Sequence, residues 1–122
     1  MSSPHEFLDR CNQLMQGQDP TTVLRRALEI IREPEQWTPR ARALDEKGRW
    51  VHPGDPTATR WCIEGAVSLA CNPYGILPPY FMALLDEVAM EYGCYGVNLL
   101  EDGCDHARAI EFLERVIERV QG

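Results

Sequence analysis

The stretch DPTATRWCIEGAVSLACN, residues 55–72, decides how the rest of the chain must be arranged. Asp55-Pro56 pairs a helix-capping residue with a proline at the first helical position, which predicts a helix over 56–71. After Arg60 its only polar side chains are Glu64 and Ser68, four apart and so on one face. A helix apolar almost all round belongs at the centre of a fold, with other elements packed about it. Gly65 and Ala66 leave room for a neighbouring helix to come close, and Asn72-Pro73 ends the helix.

The segments on either side supply what would cover it. Downstream, Pro78 or Pro79 opens a helix over 79–92, with Phe81, Leu84, Leu85 and Val88 inward, Asp86, Glu87 and Glu91 outward, and Gly93 as its stop. Asp105 caps a last helix over 106–120, with a buried stripe of Ile110, Leu113, Val116, Ile117 and Val120 and an exposed Glu111–Arg115 pair. Upstream, ARALDEKGRWVH reads as a small β-hairpin with strands 41–44 and 49–52, closed through Gly48. Two strands alone are marginal in water, so this hairpin must lean on the helices. Asp19-Pro20 starts a helix over 20–33 that Pro34 stops, and Ser3-Pro4 with Glu6 starts one over 4–16. About five helices and one hairpin predict a mainly α, α-dominated α+β fold. The 122 residues fit a single globular domain over 1–122.

Residues Gly65 to Leu85 carry no charge, but Asn72, Pro73, Gly75, Pro78 and Pro79 interrupt them, so no membrane span is expected. Apolar and charged fractions of 44% and 25% are those of an ordinary globular domain and exclude a disordered or fibrous class. The formal net charge of −7 argues against a nucleic-acid or anionic-membrane binder. Charge is also segregated. Trp61 to Ala107 contains no Lys or Arg but seven carboxylates, whereas Arg40, Arg42, Lys47, Arg49 and Arg60 make the preceding stretch mildly basic. Either this marks an acidic side and a basic edge, or each is a solvated face. The start, MSSPHEFLDRC, lacks the basic and apolar regions of a signal peptide. With it, an odd count of five irregularly spaced cysteines suggests reduced thiols and a cytoplasmic location.

An early Leu/Ala/Ile helix, Trp37 after it, an Asp-x-x-Gly turn (Asp45 to Gly48), the run Cys62-Ile63-Glu64-Gly65-Ala66, then Asn98 before a closing amphipathic helix form a familiar series. Over about residues 20–120 the chain resembles an uncharacterised family of short bacterial and phage proteins labelled only as a domain of unknown function. It departs at Asn98, where the next acidic residue is Glu101 and not its neighbour. The resemblance implies the fold and carries no activity with it.

Few residues suggest chemistry. Cys94, Cys104 and His106 are the only Cys/His cluster, but their spacings of ten and two are not those of paired zinc ligands. The plainer reading has Cys104 packed under the last helix and His106 in its first turn. The oxygen-rich loop holding Asn98 and Asp102 lacks the alternating spacing of a calcium loop, and its aspartates suit a helix start. No nucleophile motif or Gly-rich phosphate loop occurs, so no cofactor is expected. Glu64 stands out, on a stripe with Trp61, Ser68 and Cys71. In a pocket between central helix and hairpin it would act as general acid or base. Otherwise it pairs with Arg60, Arg42 or Arg49 and ties hairpin to helix. Trp37, Trp50 and Trp61 near Arg42 and Arg49 suit either a binding surface or a seal between hairpin and helices. The expectation is a small non-enzymatic binding or regulatory protein with a protein partner or self-association, engaged through the Trp/Arg edge or the face of Asp86, Glu87 and Glu91. The alternative is a small enzyme or ligand-binding protein built on Glu64, with Asn98 and Asp102 nearby.

Overall fold

Proline and periodic apolar residues shape the first helix. The computed structural model describes residues 19–39, 41–72, 76–97, 100 and 103–122; the helix expected over 4–16 lies outside them. Helix α1 (Pro20–Ile30) begins at the expected proline and buries Val23, Leu24 and Ala27. The Asp19 carboxylate accepts the Thr22 hydroxyl at 3.3 Å. The helix stops short of the expected residue 33. Glu33, forced extended ahead of Pro34, has φ −92° and ψ 141°, and a single 3₁₀ turn (Pro34–Gln36) follows.

The sheet differs from the expected hairpin. Strand β1 (Ala43–Asp45) pairs antiparallel with β2 (Ala58–Trp61), in register Ala43 with Trp61, Leu44 with Arg60 and Asp45 with Ala58. Expected strand 49–52 is reduced to one bridge, Leu44 with Trp50, on the other side of β1. Residues expected as the first turns of the central helix thus form a strand instead. Asp55-Pro56 caps nothing. The Asp55 Oδ1 accepts the Thr57 N–H at 2.8 Å and its hydroxyl at 2.6 Å, while the Asp55 carbonyl accepts the Ala58 N–H. That turn launches an extended Thr-Ala-Thr-Arg-Trp run rich in strand-favouring residues.

Helix α2 (Ile63–Cys71) therefore starts seven residues later than the expected 56, capped by Cys62, whose Sγ accepts the Gly65 N–H at 3.4 Å. Helices α3 (Pro79–Glu91) and α4 (His106–Gln121) match expectation closely. Gly93, at φ 80°, closes α3, with the Cys94 N–H donating back to the Ala89 carbonyl. Asp105 Oδ1 caps α4 by accepting the Arg108 N–H at 2.8 Å.

Helix α1 packs against both α2 and α4, and α3 lies on α4. Leu24, Ile63, Phe81, Leu85, Phe112 and Leu113 are fully buried where they meet. Each such side chain contributes about 1.5–3 kcal/mol. Tyr92 stacks edge-on to Phe112 with centroids 5.6 Å apart, under the Arg108 guanidinium. The described residues are thus helix-dominated, with one two-stranded antiparallel sheet. No helix among them is long and apolar enough to cross a membrane.

Candidate functional site

The segment leading into β1 comes close to α2, and Gly65 makes this possible. A Cβ at Gly65 would sit 1.8 Å from the Arg42 carbonyl oxygen. The small residues of the central helix thus admit backbone from the segment before β1, rather than a helix as their pattern suggested. The same approach brings Arg42 Nε within 3.6 Å of Glu64 Oε2. The Glu64 side chain is 12% exposed and that of Arg42 51% exposed. Burial pushes the Glu64 carboxyl above the usual glutamate range; the Arg42 charge pulls it partly back and Asp86 pushes it up again. Glu64 therefore ties the sheet to the helix through Arg42, whose charge favours the carboxylate while burial and Asp86 oppose it. The expected stripe is altered: Trp61 lies on β2, and the buried Ser68 donates its hydroxyl to the Glu64 carbonyl at 2.7 Å.

Arg49 has a different partner. Asp45 is buried beneath the loop, accepting the Lys47 and Arg49 N–H groups at 2.9 and 2.8 Å and Arg49 Nε at 2.7 Å. The Arg49 main-chain N–H does most to hold the Asp45 carboxyl below its ordinary range. Composition alone did not single out Asp45. The clue was its place at the first position of an Asp-x-x-Gly turn, where a carboxylate collects turn N–H groups.

The three tryptophans separate into two kinds. Trp37 is buried and bridges Trp61, whose indole N–H donates to the Pro53 carbonyl at 3.0 Å. These two seal the sheet onto the core. Trp50 is 77% exposed. It borders a groove of about 450 Å³ lined by Arg42, Trp50, Val51, His52 and Pro53. Leu44 lies opposite both Trp50 and Arg60, so Trp50, Leu44 and Arg60 form one cross-strand row. His52 and Pro53 were not singled out from the sequence, because nothing local marks a loop residue as lining a groove.

The acidic side of α3 is largely occupied. Asp86 Oδ1 accepts the Val97 N–H at 2.9 Å, Glu87 pairs with Arg119 at 2.7 Å, and Glu91 pairs with Arg115 at 3.1 Å and with Arg119. Arg115 thus reaches Glu91 and Glu118 rather than the expected Glu111. Of the Cys/His candidates, Cys104 is buried beside α4 and His106 Nε2 lies 2.6 Å from the Ile31 carbonyl oxygen. Cys94 is half-buried, its Sγ 4.0 Å from the Tyr92 carbonyl. Among the described residues no three His, Cys, Asp or Glu side chains converge as a metal site would require. Asn98 and Asp102 lie outside the described residues.

The family model DUF6197, a family of unknown function, matches residues 15–121. The chain belongs to that family, as the resemblance over residues 20–120 implied. No curated protein and no solved structure compared with the chain matches it.

Proposed function

Since membership of this family assigns no activity, we propose from the geometry that the chain is a non-enzymatic binding module that engages a protein partner through the Trp50 face. The observation that carries this reading is the division of labour among the tryptophans. Two are consumed by the core, while the third stands 77% exposed over a groove edged by Arg42 and His52. Trp beside Arg is the usual composition of an interface hot spot. The odd count of five cysteines favours a cytoplasmic setting for that encounter.

Replacing Trp50 tests it. Trp50→Ala removes little buried area and should leave the melting temperature within about 2 °C. A partner crosslinked in cells through a photoreactive residue at position 52 should be retained by the parent chain and lost in Trp50→Ala. Identical crosslinked species with and without Trp50 would sink the proposal.

A second reading rests on the Glu64 carboxyl, whose burial and nearness to Asp86 suit a general acid or base. It separates from the first because Glu64→Gln would abolish turnover, whereas Trp50→Ala would abolish capture of the partner.

A further inference from the structure

The main-chain hydrogen bonds around Trp50 show which of its polar groups are committed. The Asp45 N–H donates to the Arg49 carbonyl at 2.9 Å, and the Val51 N–H donates to the Ala43 carbonyl at 3.2 Å. In an antiparallel ladder these two bonds flank a non-hydrogen-bonded pair, here Leu44 and Trp50. The N–H and C=O of Trp50 therefore point away from β1, along the outer edge of the sheet. Among the described residues neither has a main-chain partner. The open stretch is short. On one side the Gly48 N–H is bonded to the Asp45 carbonyl, and on the other the His52 carbonyl is bonded to the Asp55 N–H.

We propose that this edge takes up an acidic, extended segment of a partner protein as an added β-strand, paired through the N–H and C=O of Trp50. The proposal rests on the reading of the Trp50 face as a binding surface and specifies its ligand. An extended peptide supplies the complementary acceptor and donor at strand spacing, and pockets beside the edge select its side chains. The acidic preference follows from charge complementarity. Among the described residues no carboxylate lines the groove, whereas the half-exposed Arg42, which also reaches Glu64, does. Arg60, in the same row as Trp50, and Lys47 in the adjoining turn make no ion pair among the described residues. A second copy fits worse, because edge-to-edge pairing would set Arg42 and Lys47 against their own counterparts. A single-stranded nucleic acid could stack on Trp50, but it offers no main-chain amides to the edge, and the whole chain carries −7.

The test is selection from a random linear peptide library displayed on phage, panned on the full chain and counter-selected on Trp50→Ala. The expected winners are rich in Asp and Glu with alternating apolar residues. N-methylation of the peptide residue that faces Trp50 should weaken them up to about tenfold, the loss of the one hydrogen bond its N–H donates. Amide exchange at Trp50 should slow on binding. Winners that require Trp50 yet tolerate N-methylation overturn strand addition while leaving the Trp50 face as a binding surface. Basic or neutral winners overturn the acidic preference. Tighter binding of oligothymidylate, or self-association through the same edge, replaces the proposed occupant. Failure to select any Trp50-dependent peptide overturns this inference; Trp50-dependent crosslinking in cells would still uphold the wider reading.

Discussion

Substituting Gly65 by alanine sets two opposed effects against each other, and the structure decides which wins. Alanine is favoured over glycine inside a helix by about 1 kcal/mol. Against this, the new methyl would lie 1.8 Å from the Arg42 carbonyl oxygen, 2.7 Å from its carbon and 3.1 Å from Arg42 Cα. Reaching even the 3.0 Å that real contacts essentially never undercut requires about 1.2 Å of movement. The obstacle is backbone, so no side-chain rotation relieves it. Overpacking of this kind costs about 3 kcal/mol at the upper end of its common range, leaving a net loss of about 2 kcal/mol. At about 2.1 cal/mol/K of unfolding entropy per residue, each kcal/mol moves the Tm of a chain this long by about 4 °C. Gly65→Ala should therefore melt about 8 °C lower by circular dichroism. Gly48→Ala is the control: φ is 78° and nothing lies within 4 Å, so only backbone strain of about 1 kcal/mol applies. A Gly65→Ala protein that melts at or above the parent temperature would refute the claim that this glycine admits the Arg42 backbone.

Glu64 should make stability depend on pH in a definite direction. Its folded-state carboxyl titrates above the ordinary 4.5, so the stability linked to that proton is present below this value and lost as pH rises through the folded pKa. The Tm of Glu64→Gln relative to the parent should therefore climb as pH rises above the ordinary 4.5; a constant or falling difference contradicts the desolvation argument. Burial pushes the Cys71 thiol up to about 12, so iodoacetamide on the native protein should modify the half-buried Cys94 well before Cys71. Equal labelling rates by mass spectrometry would count against that burial. Asp105→Ala removes the carboxylate that accepts the Arg108 N–H and should cost about 1 kcal/mol, or about 4 °C of Tm, which a thermal melt checks directly.

What the sequence by itself determined was local. Pro20, Pro79 and Asp105 mark where α1, α3 and α4 begin, because missing N–H groups and side-chain caps act within one turn. The apolar spacing of Val23, Leu24 and Ala27, and of Leu113, Val116 and Ile117, identified faces that are buried in the structure. Glu64 and the tryptophans were visible as conspicuous residue types, as was a choice among Arg60, Arg42 and Arg49 as the partner of Glu64. Only the tertiary structure made that choice, because Asp45 already holds Arg49 within its own turn. It also decided that residues 58–61 are a strand. Helical and extended forms of that segment compete closely until β1, some fifteen residues earlier, offers its hydrogen bonds. The same pairing moved the helix start to Cys62, placed Trp61 against Pro53 and left Trp50 on the outside edge. Contacts between residues far apart in sequence set these outcomes, and no local signal encodes which distant backbone will arrive.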